Sequence, residues 1–241
     1  MLRADGVQVS QSSVYRALRR RGMLQPTNYH AERRALAQAR KQAFVTAPRR
    51  RNRVWQTDFT RVEITSGAAW WVCPVTDYYA KVCLAAAAST TLAARDAVGA
   101  LRAAIESAET MIGRSLLEDC LDPDTGELTP LIVVSDNGAA YKSADFARFI
   151  AGRPELRHVR TRHHAPETNG VVERFNESLK YEHLYRIEIP HGQALIDEVE
   201  GYRDVFNRIR PHENLDFRRP LDVYLEAPSY DVSPASGVQE S

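Results

Sequence analysis

The stretch from Leu131 to Lys180 constrains this 241-residue chain most. It opens LIVVSDNGAAYKSADFARFI and closes RHHAPETNGVVERFNESLK, with Asp136 near one end and Glu173 near the other. LIVV is a short apolar run rich in β-branched side chains and bounded by Ser-Asp-Asn-Gly, so it reads as a buried strand whose last residues turn outward. Asp136 then sits at a strand mouth. Thr168-Asn169-Gly170 supplies a helix start, and Val171, Val172, Phe175 and Leu179 recur at spacings of three and four, which gives the next helix an apolar face. That helix is expected to run to about Arg186, with Glu173 in its first turns. Lys180, close to two turns further on, lies on nearly the same face. A carboxylate at a strand end and another near a helix start can hold Mg²⁺ together with substrate phosphate oxygens.

The net charge of +1 hides an asymmetry: residues 1–53 hold 13 Arg or Lys against Asp5 and Glu32, which makes that arm +11 and the remaining 188 residues −10. A basic arm beside an acidic body fits a protein that grips polyphosphate with one part and holds cations with the other. Within the arm Ser10 is an N-cap candidate, Val14, Tyr15 and Leu18 form an apolar stripe, Arg16, Arg19, Arg20 and Arg21 are basic, and Gly22 can close the helix. This helix resembles the recognition helix and exit of a helix-turn-helix whose earlier helices would lie before Met1, so the chain is expected to be N-terminally shortened or to have a misplaced start. A second helix is expected over Ala31 to Phe44, then the linker Pro48-Arg49-Arg50-Arg51. The density of arginine just ahead of a strand carrying a carboxylate predicts phosphate contact.

VWQTDFTRVEI is β-prone and holds Asp58, and AAWWVCPVTDYYAKVCLAAAA reads as two strands joined over Asp77 to Lys81. A helix over Thr91 to Thr110, the Leu131 strand, a helix over Lys142 to Ile150 and a short strand within Arg153 to Arg162 follow. This order predicts an α/β fold, a mixed sheet with helices packed on it. Glu118, Asp119, Asp122 and Asp124 lack EF-hand spacing, so calcium is not expected. Cys73, Cys83 and Cys120 are odd in number and form no CxxC pair, so neither a disulfide framework nor a zinc knuckle is expected, and His163-His164 is expected to lie in a loop or near DNA. No apolar run reaches the roughly 20 residues of a membrane span, and the expected place is the cytoplasm, on the nucleoid.

Asp58, Asp136 and Glu173, taken with WQTDFT, SDNGAAY, TNGVVERFNESLK and NRIRPHENL, give the sequence a resemblance to the integrase-core transposases of bacterial insertion sequences, relatives of retroviral integrases. It covers about Val54 to Pro228. The resemblance implies a ribonuclease-H-like fold with a mixed five-stranded sheet flanked by helices and preceded by a basic helical arm. The implied division is a helix-turn-helix remnant over 1–25, a basic helical linker over 26–53, the catalytic core over 54–228 and a disordered tail over 229–241. It also implies an Asp, Asp, Glu triad in which Asp58, Asp136 and Glu173 are catalytic and bind two Mg²⁺ ions, with Mn²⁺ as a substitute. The 36 residues between Asp136 and Glu173 are one more than the family's usual spacing, which a loop around Gly152-Arg153-Pro154 can absorb.

The implied activity is metal-dependent cleavage at element ends and 3′-OH strand transfer into target DNA, by a homo-oligomer on double-stranded DNA without a small-molecule cofactor. Expected DNA contacts are Lys180, Arg174, Asn169, Arg162, Arg16, Arg19, Arg20, Arg49, Arg50 and Arg51. Two alternatives stay open: a truncated DNA-binding relative without transposition activity, and a metal-dependent nuclease on the same fold.

Overall fold

A computed structural model gives the fold and describes residues 10–21, 48–161 and 166–226. The chain divides into two compact units, Met1–Lys41 and Gln42–Ser241. In the first, α1 (Gln11–Arg20) forms where the sequence predicts it, and Ser10 Oγ accepts from Ser13 N at 3.2 Å as its cap. Gly22, the predicted helix over Ala31 to Phe44 and the tail over 229–241 lie outside the described residues.

The second unit is built on one mixed sheet. Its strands are β1 (Val54–Thr57), β2 (Thr60–Glu63), β3 (Ala69–Asp77), β4 (Cys83–Ser89), β5 (Leu131–Ser135) and β6 (Leu156–Arg160), in the order β2-β3-β1-β5-β6 with β4 also on β3. β1 and β2 are halves of one strand, because both pair antiparallel with β3 in a single register, Thr57 opposite Val75 and Thr60 opposite Val72. Among the described residues the sheet is therefore five strands wide, as expected, with its central strand interrupted at Asp58-Phe59. Continued across the gap, the same register sets Asp58 opposite Pro74. Proline has no N–H to donate, which is a physical reason for the ladder to lapse there. On its other side β1 runs parallel to β5, and β5 parallel to β6.

Each face of the sheet carries its own core. On one, α2 (Ala94–Ile112) buries Ala97, Ala100, Leu101, Ala104, Ile105 and Ala108, a stripe at helical spacing. It packs on the alanine-rich β4 and on Trp55 and Val75, where small side chains let helix and strand approach closely. Asp96 caps its start by accepting from Ala93 N and Thr91 Oγ1, and Gly113 ends it at φ 71. The same core takes Phe146 and Ile150 from α5 (Ala144–Ala151), which Ser143 separates from the short α4 (Ala139–Lys142), so the single helix expected over Lys142 to Ile150 is two. On the opposite face, α6 (Pro166–Ser178) and α7 (Gly192–Arg208) pack Phe175, Leu195, Val199 and Phe206 against Val62 and Val72.

Two boundaries differ from expectation. Thr168-Asn169-Gly170 falls inside α6, which begins at Pro166, a residue suited to a first helical turn. Beyond Ser178 the helix continues as a π turn (Leu179–His183) and a 3₁₀ turn (Leu184–Arg186), so it reaches Arg186 with altered pitch. The core also starts before Val54. Arg50, Arg51 and Asn52 are buried, and Asn52, at φ 56, donates from its backbone N to Asp77 and from its side chain to Asp119, while accepting from Trp55 and Tyr224. A short amide side chain tolerates this left-handed conformation and supplies both donors and acceptors.

The acidic loop is likewise a structural feature. It contributes α3 (Leu116–Cys120), capped by Ser115, and an Asx turn at Asp122, while Asp119 is buried against Arg51, Arg114 and Asn52. Cys73, Cys83 and Cys120 are free thiols in the interior. Among the described residues no helix is long and apolar enough to cross a membrane.

Candidate active site

The break in the central strand and the end of β5 coincide. β1 pairs with β5 through Gln56 and Val134, and two further residues along that register bring Asp58 beside Asp136. Asp58 and Asp136 are the first residues past Thr57 and Ser135, the last residues of these two parallel neighbouring strands. Both aspartates are partly exposed.

The chain around Asp136 is shaped to hold its carboxylate. Gly138 N donates to Asp136 Oδ1 at 2.8 Å, and a Cβ on Gly138 would stand 2.9 Å from the same oxygen, closer than side chains tolerate. Glycine permits that close approach. Asn137 Nδ2 donates to Thr161 O and ties the turn to the end of β6, and Ser135 Oγ lies 2.8 Å from His158 Nε2. Burial, together with the charge of Arg160, pushes the His158 imidazole down to about 4. It is therefore neutral at physiological pH and can serve as Ser135's hydrogen-bond partner.

Asp58 accepts from Phe59 N at 2.8 Å. Beneath it, Thr57 Oγ1 lies 3.2 Å from Tyr141 OH and 3.4 Å from Cys73 Sγ, which fastens α4 to the end of β1. Burial pushes the Tyr141 hydroxyl well up and the Cys73 thiol up to about 11, and the Asp58 charge acts in the same direction on both. These groups stay protonated as structural donors. Lys180 stands within reach of the same charge: partial burial lowers its ammonium, and Asp58 opposes that shift.

Glu173 lies on α6, which is bonded to β1. Gln56, fully buried and two residues before Asp58, accepts from Val171 N at 2.9 Å and Val172 N at 3.2 Å through Oε1. The amides just before Glu173 are thus bonded to the strand that leads into Asp58. Val172 and Phe175 face inward, while Glu173 and Arg174 are exposed. Among the described residues no three His, Cys, Asp or Glu side chains are gathered closely enough to hold a metal ion, so the three carboxylates do not form one tight cluster.

The expected DNA contacts separate into groups. Arg16 and Arg20 are exposed on α1, with Nε of each directed to a backbone carbonyl four residues earlier, and Arg49 is exposed. Arg174 pairs with Glu177 at 4.0 Å. Arg50 and Arg51 are not surface residues: the first is 2% exposed and the second 8%. Arg51 donates to Tyr224 O at 2.9 Å, approaches Asp119 at 3.7 Å and lies over the Tyr224 ring, so it ties α8 (Pro220–Glu226) to the entry of the core. Burial removes these two from the phosphate-facing set. Arg162 lies outside the described residues, as do His163-His164 and the side chains of Arg19 and Asn169.

Gln56, Tyr141 and Gly138 support the site and were not singled out by sequence reading. A glutamine inside an otherwise apolar strand start was the available signal for the first, since a buried amide requires partners.

A mixed sheet whose central strand breaks at one carboxylate, beside a parallel strand ending at another, with helices on both faces, defines a ribonuclease-H-like fold. Two family models, each described as an integrase core domain, match residues 48–166 and 155–220. The chain belongs to the integrase-core family. It is 31% identical over 87 residues to an uncharacterized protein of insertion element IS136 from Agrobacterium fabrum, a match covering 36% of this chain and 44% of that protein. It is 27% identical over 97 residues to the transposase InsD of insertion element IS2D from Escherichia coli, covering 39% and 31%. These matches span less than half the length of either relative. Among solved structures, a chain of the simian T-cell lymphotropic virus intasome complexed with the PP2A regulatory subunit B56 gamma is similar with a TM-score of 0.56 and 18% identity, over 79% of this chain and 61% of that one. The HTLV-2 integrase catalytic core in complex with magnesium is similar with a TM-score of 0.50 and 17% identity, over 72% and 96%.

Proposed function

We propose that the protein is a DNA transposase that cleaves a phosphodiester at an element end and joins the exposed 3′-OH to target DNA, with Asp58, Asp136 and Glu173 as its metal-binding carboxylates. The observation that supports this reading is the parallel register of β1 and β5, whose continuation past Thr57 and Ser135 leads to Asp58 and Asp136 where the central strand breaks. The donor set is all oxygen, which suits a hard divalent cation such as Mg²⁺ or Mn²⁺, with DNA phosphate oxygens as further ligands. Bound there, such a cation would supply Lewis-acid stabilisation of charge developing on the phosphate and leaving oxygens.

The chain's own residues supply position and charge. Gly138 N–H fixes one Asp136 oxygen, Gln56 anchors the helix that presents Glu173, and Lys180 places a cation near Asp58 for an adjacent phosphate. Two in-line displacements at phosphorus complete the reaction. Water breaks the bond to a 3′ oxygen at the element end. The freed 3′-OH then attacks a target phosphodiester and displaces its 3′ oxygen. The first step consumes water and leaves a 5′-phosphate opposite the freed 3′-OH, the second exchanges one phosphodiester for another, and neither needs a covalent protein intermediate. Joining two ends calls for at least a dimer at work.

The test is incubation of supercoiled plasmid with the protein, Mn²⁺ or Mg²⁺, and a labelled duplex bearing a recessed 3′-OH. Nicked circles and label covalently joined to plasmid are expected. Nicks without joining would favour a nuclease on the same fold, and DNA binding without metal-dependent nicks would favour a binding relative.

A further inference from the structure

α2 and α5 share the core on the sheet face opposite α6, and between their outer surfaces lies a groove of about 580 Å³. Its lining includes Arg95, Val98 and Arg102 from α2, and Arg148, Phe149 and Arg153 from α5 and the turn after it. Four guanidiniums and the carboxylate of Asp145 line it, and one of the four, Arg153, donates to Glu155 at 3.1 Å. Arg102 and Arg153 both lie over the Phe149 ring, at 5.1 and 5.3 Å from its centroid. Stacking on an aromatic face restrains a guanidinium while leaving its N–H edge able to make paired hydrogen bonds. Arg95 and Arg148 are 77% and 76% exposed, with carboxylate neighbours Asp96 at 3.8 Å and Asp145 at 2.7 Å. Exposed pairs of this kind contribute little, so both arginines can exchange partners for a phosphate at small cost. The chemistry proposed at the strand ends uses none of these residues.

We infer that this groove binds the sugar-phosphate backbone of the DNA flanking the reacting phosphodiester. The choice of ligand rests on the transposase reading, and two features of the fold support it. The chain leaving Asp136 passes through α4 and, after Ser143, into α5, so the helix that carries Arg148 and Phe149 begins eight residues beyond Asp136. Arginines on two neighbouring helices also form a charged channel, which suits a polymer with one negative charge per about 1.7 Å of duplex axis. Fork-shaped donors suit phosphate oxygens. Backbone contacts of this kind set the register of a duplex without reading its sequence.

The experiment is fluorescence anisotropy of the full chain with an arbitrary-sequence duplex of about 30 base pairs across a salt series, without metal, and with polyglutamate as a second ligand. The variants are Arg95→Gln/Arg102→Gln/Arg148→Gln, the corresponding triple lysine variant, and the milder pair Arg95→Gln/Arg148→Gln in case the triple glutamine variant unfolds. The triple glutamine variant should bind DNA roughly tenfold more weakly and lower the slope of log affinity against log salt by about 2 to 3, while lysines retain most of the slope. The pair should lower the slope by about 1 to 2. An unchanged slope in folded glutamine variants overturns the inference. Loss of polyglutamate binding with DNA binding intact also overturns it and assigns the groove to an acidic protein segment. Because binding is read without metal, failure of nicking by the unaltered protein would count against the transposase reading and leave this result separately interpretable.

Discussion

The two ends of β1 each gather carboxylates, and they treat them in opposite ways. At the N-terminal end, Asp77 and Asp119 are buried, with Asn52, Ala80, Arg51 and Arg114 supplying donors or opposite charge. At the C-terminal end, Asp58 and Asp136 stay partly exposed at the break in the strand, and Glu173 is exposed on a helix fastened to the same strand. A buried carboxylate surrounded by protein donors holds the fold together, whereas an accessible one with oxygens facing solvent can bind a cation or a phosphate-bound metal. The difference lies in burial and in who supplies the donors, since both ends present the same functional group.

Neutralising the accessible end should have the largest effect. Asp58→Asn and Glu173→Gln are each expected to lower metal-dependent nicking by at least about 10³-fold, equivalent to about 4 kcal/mol of barrier, while thermal unfolding midpoints move by only a few degrees. At the buried end Asp119→Ala should lower stability in urea by about 3 to 5 kcal/mol, because it strands the buried Arg51 charge. Nicking measured well below its unfolding midpoint should survive.

The buried end also predicts a pH dependence. Burial raises the Asp77 carboxyl from an ordinary 3.8 to about 6, against the backbone donors Ala80 and Asn52. Between these values the folded protein holds a proton that the unfolded chain has released. The Asp77 contribution to stability therefore grows as pH falls through 6 toward 4 and is lost as pH rises through that window, by up to about 3 kcal/mol. Urea unfolding at several pH values should show this trend, and Asp77→Asn should flatten it.

Smaller effects refine the contrast. Gly138→Ala should push the Asp136 carboxylate aside and slow nicking by about tenfold, roughly 1.4 kcal/mol, without lowering DNA affinity. Arg49→Ala, at an exposed arginine beside two buried ones, should lower the salt slope of DNA binding by at most about 1 and leave stability unchanged.

The strands and helices were legible because their periodicities are strong: LIVV became β5, and the alanine-rich stretch after Thr91 became α2. Asp58, Asp136 and Glu173 could be singled out from local motifs, but the coincidence of the first two depends on pairing between segments 78 residues apart. Pro74 opposite Asp58 is a relation of the same kind, visible once β1, β2 and β3 are placed in register. A run of arginines reads the same in sequence whether it faces water or is buried, as Arg50 and Arg51 are. Tyr224, which Arg51 meets, lies 173 residues away.

The most direct test compares Asp136→Asn with Asp119→Asn in one Mn²⁺-dependent plasmid-nicking assay, each variant accompanied by its unfolding midpoint. The contrast between the two ends predicts that Asp136→Asn unfolds like the unaltered chain and does not cut. It predicts that Asp119→Asn unfolds at a lower temperature and, well below that point, cuts at the normal rate. Metal-dependent nicking retained by a folded Asp136→Asn variant would contradict the assignment of the strand-end carboxylates to the chemistry.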